Sequence, residues 1–199
     1  MTKRSYTRYQ SGKPCEYTFL YPADWEAREI VEDGYMDTYI AGPRNRAGTY
    51  STSFAIGVTR ATGRTPAGAA TELLAKYRSA FSIQEQGPFP TIVAGVPAVG
   101  VEIAYWMPLP LNSVHPQRTV IHERNIFFQR GDQLYELRYA ATEEDYETWL
   151  GAFHTLVESF SFAEKPTDML SYRPVAMTVP QPVREESPEY EAERDQGNE

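Results

Sequence analysis

The clearest pattern in the chain begins at Tyr17-Thr-Phe-Leu-Tyr-Pro-Ala-Asp-Trp25, where aromatic and β-branched residues alternate with other types. A period of two predicts a half-buried strand, and Pro22, which has no amide hydrogen to give to a ladder, ends it. Asp33-Gly34 predicts a hairpin turn into a strand over Tyr35–Ile40. Gly42-Pro-Arg-Asn-Arg-Ala-Gly48 reads as a basic, mobile loop. Strand pattern returns over Ser51–Thr59, with Phe54, Ile56 and Val58 on one face.

The period then changes. Thr65-Pro66 supplies an N-cap and a first-turn proline, and Ala70, Leu73, Leu74, Tyr77 and Phe81 follow at helical spacing. Strands are expected over Thr91–Ala94, Val99–Trp106, Thr119–Arg130 and Gln133–Ala141. Gly95-Val-Pro97, the proline-rich segment Met107–Arg118 and Gly131-Asp132 separate them, the last as a tight hairpin. Thr142-Glu-Glu-Asp145 has the form of a capped helix start, its carboxylates near the positive end of the helix dipole. Tyr146, Trp149, Leu150, Phe153, Leu156, Val157 and Phe160 then keep one apolar stripe. Two one-sided helices need sheet to cover, and short turns favour antiparallel pairing. The expected fold class is therefore α+β: an antiparallel β-sheet flanked by helices, an α/β/α-type sandwich.

Domain limits follow from where the pattern fails. Residues 1–15 are polar and are expected to be a flexible N-terminal segment, with the folded domain over 16–163. From 164 to 199 the chain is proline-rich and acidic. Arg184–Glu199 alone carries seven acidic side chains against two arginines, too little apolar surface to offset the entropy of ordering. A net charge of −8 argues against binding nucleic acid, which needs lysine and arginine to displace counterions from phosphates. Cys15 is the only cysteine, so neither an internal disulfide nor a cysteine-based zinc site can form. No apolar run makes a signal peptide or a membrane span, and the expected location is cytoplasmic.

Three short motifs resemble the PsbP/DcrB-like superfamily, which includes the eukaryotic Mog-type Ran-binding proteins. Tyr17–Trp25 is similar to that family's opening strand ending in Pro-x-x-Trp. Ile92-Val-Ala-Gly-Val-Pro-Ala98 is similar to its turn before the central strand. Gln133–Thr142, followed by Tyr146, Phe153 and Ser159-Phe-Ser-Phe162, resembles its closing strand and helix. The resemblance spans about residues 16–163 and implies an antiparallel sheet with helices and a non-enzymatic role. Members stabilise photosystem II at its lumenal side, bind a small GTPase or chaperone secreted effectors. No catalytic residue belongs to the family pattern. Many bacterial relatives carry an export or lipid-anchor sequence, which is not seen here.

Candidate chemistry is sparse. His122-Glu123 lies on an expected strand, so the two side chains point to opposite faces and cannot share a metal. His115 falls in the proline-rich loop and His154 beside the apolar stripe of the last helix. No Gly-x-Ser-x-Gly, phosphate loop or dinucleotide fingerprint occurs, so neither hydrolase chemistry nor a cofactor is expected. Glu102, Glu123, Arg124, Glu136 and Arg138 sit in otherwise β-forming sequence. They read either as cross-strand ion pairs or as the rim of an open sheet face used for binding. Trp106, Met107, Leu109 and Leu111 form a candidate docking edge, the alternative being that Trp106 caps the core while the prolines stiffen the loop. Arg44 and Arg46 mark a second exposed candidate. The expected function is a non-catalytic accessory domain that binds another protein, as an assembly factor or chaperone. A small-molecule or lipid carrier is the alternative, and an enzyme with an unrecognised site the third reading.

Overall fold

Alternation along the strands sorts the side chains onto two faces, and the two faces have different fates. The computed structural model describes residues 4–12, 17–32 and 35–162, all within the compact unit Met1–Glu164. Ten strands and two helices follow one another. They are β1 (Tyr6–Gln10), β2 (Tyr17–Pro22), β3 (Glu26–Glu32), β4 (Tyr35–Arg44), β5 (Ser51–Arg60) and α1 (Pro66–Ala80). After them come β6 (Ile83–Val93), β7 (Val96–Leu109), β8 (Gln117–Arg130), β9 (Gln133–Thr142), α2 (Glu143–Ser159) and β10 (Ser161–Phe162). The main sheet has seven strands in the order β3-β4-β5-β9-β8-β7-β6, every pair antiparallel. A second, three-stranded sheet runs β1-β2-β10.

One face of the main sheet is closed. Phe54, Ile56 and Val58 of β5, Leu137 and Tyr139 of β9, and Ile126 and Phe128 of β8 all point that way into one core. Phe153, Leu156 and Phe160 from α2 and its end complete it, together with Tyr17 and Phe19 of the small sheet. The rings interlock: Phe54 lies 4.6 Å from Trp25 and 5.5 Å from both Tyr139 and Phe153. Aromatic pairs at such spacing contribute about 0.5–1.5 kcal/mol each beyond the area they bury. The Tyr17 hydroxyl meets the Thr38 hydroxyl at 2.8 Å, and the Tyr139 hydroxyl donates to the Tyr146 carbonyl at 2.6 Å.

The opposite face is roofed over part of its width. α1 packs chiefly on β6, β7 and β8, over a smaller core of Val101, Ile103, Tyr105, Ile121 and Phe127 with Ala70 and Leu74 of the helix. Thr65 caps α1, its hydroxyl oxygen accepting the Gly68 amide at 3.1 Å, as Thr65-Pro66 predicted. Above β4, β5 and β9 this face carries no helix. The protein is thus a sheet-dominated α+β fold, and its helices flank the sheet only in part.

Several local expectations change. Tyr6–Gln10 is not a loose segment: it forms β1 against β2 in continuous register, because Tyr6 and Tyr9 find apolar surface to cover. Gly42-Pro-Arg44 belongs to β4 beyond a bulge. The turn that follows is ordered, since the Asn45 side-chain oxygen accepts the amides of Thr49 (2.8 Å) and Tyr50 (3.1 Å). β6 begins at Ile83 although Ile83–Pro90 is polar and broken by glycine and proline, because β7 offers it an edge to pair with. The turn before β7 is Ala94-Gly95, both with positive φ, and Val96-Pro97 already lies in the strand. Met107-Pro108-Leu109 extends β7, so the proline-rich loop shrinks to 110–116. Thr142 precedes α2, but its hydroxyl donates to Asp145 (3.0 Å) and caps no backbone amide. Gly131-Asp132 joins β8 to β9 as expected, with Gly131 at φ 61°. Asp33-Gly34, Cys15 and the segment 164–199 lie outside the described residues.

Trp25 depends on a missing side chain. A Cβ on Gly42 would stand 2.5 Å from the Trp25 ring, which is buried against Phe54 and Trp149 and has nowhere to move. Gly42→Ala is expected to cost about 1–3 kcal/mol, the usual range for overpacking, read as a lower denaturation midpoint with an unchanged slope.

Candidate functional site

Strand alternation also divides the five charged residues that stood out in the sequence. Glu102 and Arg124 face the α2 side, directly opposite each other on β7 and β8, and pair at 3.3 Å. Arg124 also reaches His154, one guanidinium nitrogen lying 3.2 Å from Nε2. This is the cross-strand pairing expected of charges on a sheet. Glu123, Glu136 and Arg138 face the other way, onto the partly roofed side.

Glu123 is 5% exposed. Two tyrosine hydroxyls donate to its carboxylate, Tyr105 to Oε1 at 2.7 Å and Tyr77 to both oxygens at 2.9–3.0 Å. Tyr77 comes from α1 and Tyr105 from β7, so the carboxylate ties the helix to the sheet at the margin of the roof. Burial, and after it the Glu123 charge, pushes both phenols up. Neither phenol gives up its proton at neutral pH, which is what a donor to a carboxylate requires.

Arg138 lies on β9, diagonal to Glu123 across the β8–β9 pair, a spacing of about 7–8 Å that long side chains can still span. Among the described residues it makes no ion pair within 4.0 Å and no hydrogen bond. Burial pulls its basicity down, but the carboxylates of Glu136, Glu123 and Asp37 together outweigh that and keep it above the ordinary value. Burial in turn pushes the carboxyls of Glu136 and Asp37 above the usual range, against the opposing pull of Arg138. Tyr35 is pushed up to about 12 by burial and then by Asp37. Asn125, opposite Arg138 on β8, is wholly buried, and neither its amide nitrogen nor its oxygen has a partner among the described residues.

Of these residues, Glu123 and Arg138 line an open recess of about 540 Å³ at the end of the sheet where the β4–β5 and β7–β8 connections meet. Tyr39, Tyr50, Ser51 and Ser53 line it on the β4–β5 side, and Met107, Leu109, Pro110 and Leu111 on the β7 side. Glu123, Arg138 and Ala140 lie between them. One side is hydroxylated, the other apolar, and the middle is charged. A second recess of about 450 Å³ shares Leu109 and Pro110 and adds His115, Arg118, Glu143 and Glu144. Among the described residues, no group of three or more His, Cys, Asp or Glu is placed to hold a metal ion.

Of the side chains marked from the sequence, the structure brings Met107, Leu109 and Leu111 together at the recess. Trp106 is separated from them by alternation: it faces the α2 side, 39% exposed, with the Arg118 guanidinium 4.7 Å from its ring centroid. Arg44 and Arg46 are exposed and lie outside the recess, and Arg44 donates to the Gly48 carbonyl at 3.1 Å. Their loop contributes Thr49, Tyr50 and Ser51 instead. Tyr39, Tyr50, Ser51 and Ser53 went unmarked in the sequence. The available signal was small: Ser51 and Ser53 at alternate positions at the start of β5, opposite the Phe54 face.

No protein-family model matches the chain, and no curated protein matches it. Solved structures do. LpqN, involved in cell envelope biogenesis of Mycobacterium tuberculosis, superposes with a TM-score of 0.54 at 14% identity, covering 79% of this chain and 90% of that one. PA94 of Pseudomonas aeruginosa, a protein of unknown function, gives 0.48 at 14% identity over 81% and 99%. Cyanobacterial PsbP (CyanoP) from Synechocystis sp. PCC 6803 gives 0.44 at 14% identity over 80% and 94%. The last two fall below 0.5, and the shared fold rests on LpqN.

Two expectations follow from the site's electrostatics. Tyr105→Phe leaves a buried carboxylate short of a donor and is expected to cost about 1–3 kcal/mol by chemical denaturation. For Glu136, a raised value means that the fold holds the proton more tightly than the unfolded chain does. Its contribution to stability is therefore present below the ordinary glutamate value and lost as pH rises through the raised one. Glu136→Gln is expected to raise the melting temperature at neutral pH, with the gain shrinking as pH falls toward the ordinary value, measured by thermal unfolding across pH. Element order and antiparallel topology are those expected from the sequence, and the chain shares its fold with LpqN.

Proposed function

We propose that this chain is a non-catalytic binding domain, and that it works by holding an occupant in the recess on the partly roofed face of its sheet. The observation that carries the reading is Arg138: a guanidinium on the floor of a recess, without an ion pair or hydrogen bond among the described residues. A half-buried guanidinium without a direct partner is incompletely solvated, and a binding site is where that cost is offset by what arrives. The recess lining has hydroxyls, one guanidinium and one carboxylate, and that carboxylate is already taken by two phenols. This arrangement suits recognition better than proton abstraction or nucleophilic attack, which need a free base beside a nucleophile.

An accessory role toward another protein is the first form of this reading. Leu111 and Val114 stand 68% and 93% exposed on the loop beside the recess, an apolar lip for a protein surface to cover. A small-molecule carrier is the second. The recess volume favours it, since ligand sites commonly run about 300–1,000 Å³.

A photo-crosslinking residue at position 111, compared with one at the equally exposed Ile92 on β6, tests the reading in the native host. Adducts are expected at 111 and lost on Ser53→Leu, which fills the recess. Equal adducts at both positions, or none at 111 together with no ligand retained in native mass spectrometry, would sink it.

A further inference from the structure

We infer that the recess takes a free α-amino acid with an apolar side chain. The inference rests on the recess being the binding site and names what it holds. The argument begins with the guanidinium. A planar, five-donor fork with no partner is suited to a carboxylate, which accepts from it along two parallel bonds. A carboxylate alone is opposed by the surroundings, because Arg138 is one cation among three carboxylates, those of Glu136, Glu123 and Asp37, each close enough to shift it. A ligand that brings its own cation removes that conflict. Its ammonium group lies in the negative potential those acids create, while its carboxylate meets the guanidinium. The ligand adds no net charge, so the site does not have to change its own protonation to receive it.

The lining supplies the remaining parts. Ser51, Ser53 and the phenols of Tyr39 and Tyr50 stand on one side, and hydroxyl oxygens accept from an ammonium group as readily as they donate to a carboxylate. Met107, Leu109 and Leu111 stand on the other side and offer a side chain apolar surface, Leu109 being 5% exposed and Leu111 68%. Hydroxyl, ion and hydrocarbon thus surround one recess, as ammonium, carboxylate and side chain surround one Cα. Asn125, opposite Arg138, has no partner on either amide atom among the described residues, but it is 0% exposed and is not part of the recess lining, so contact with the ligand falls to the lining residues themselves.

Titration calorimetry on the full chain with four probes separates the requirements: L-leucine, N-acetyl-L-leucine without the ammonium, L-leucinamide without the carboxylate, and glycine without the side chain. Leucine is expected to bind saturably, and each of the others more weakly by about tenfold or more, the loss of roughly one good polar or apolar contact. Arg138→Gln is expected to abolish the difference between leucine and leucinamide. Because that variant leaves three carboxylates uncompensated and risks the fold, Ser53→Leu serves as a second. It touches no charge and is expected to abolish binding while the melting temperature holds. Absence of saturable binding by leucine, binding of N-acetyl-L-leucine or leucinamide as tight as that of leucine, or undiminished binding in Ser53→Leu would each overturn the inference. Crosslinks at position 111 without any leucine binding would overturn the amino-acid assignment alone and leave the recess as the binding site.

Discussion

Glu123 is a carboxylate removed from water in the middle of a sheet, and two phenols make that tolerable. Tyr105 reaches it along the sheet from β7 and Tyr77 reaches it from α1. A buried carboxylate without donors would cost several kcal/mol, so this group fixes where α1 lies and where its cover ends. Toward β6 the sheet is roofed and apolar. Toward β4 and β5 it is open, polar and charged. The recess is the boundary between these two regimes.

The closed face explains why the open one can be left open. Stability comes from the interlocked aromatic rings between the main sheet, α2 and the small sheet, where Tyr17, Phe54, Phe128, Tyr139 and Phe153 are wholly buried. Aromatic side chains bury large areas and pack at defined angles, so one layer of them suffices to hold a domain of this size. With the core concentrated there, the other face need not be fully apolar, and Arg138, Glu136, Asp37 and Asn125 sit where a second full core would otherwise lie. Charges set into a sheet in this way depend on their neighbours: against the pull of burial, three carboxylates keep Arg138 above its ordinary value, and Arg138 pulls back on Glu136 and Asp37.

Much of the fold was legible because period-two and period-3.6 patterns report local geometry. Both helices, the Gly131-Asp132 hairpin and the antiparallel pairing were readable in this way. β1 and the first half of β6 were not, because polar strands such as Ile83–Pro90 are held by the edge they pair with and not by their own pattern. Of the site, Met107, Leu109 and Leu111 were marked for their apolar character, while Trp106 was wrongly grouped with them. Adjacent residues in a loop share a surface, but Trp106 and Met107 lie in a strand, where neighbours face opposite ways.

By itself the sequence determined both helices and most of the strands, which of their residues are apolar, and that the elements suit an antiparallel α+β sheet with the resemblance it bears. These are properties of ten or so neighbouring residues, and side-chain periodicity encodes them directly. Only the tertiary structure decided that the two helices cover opposite faces unequally. It alone placed Arg138 diagonal to Glu123, and set Tyr39, Ser53 and Leu109, drawn from three different strands, around a single recess. The reason is that strand order joins β5 to β9 across the 72 intervening residues 61–132, and no local pattern carries a pairing over that distance.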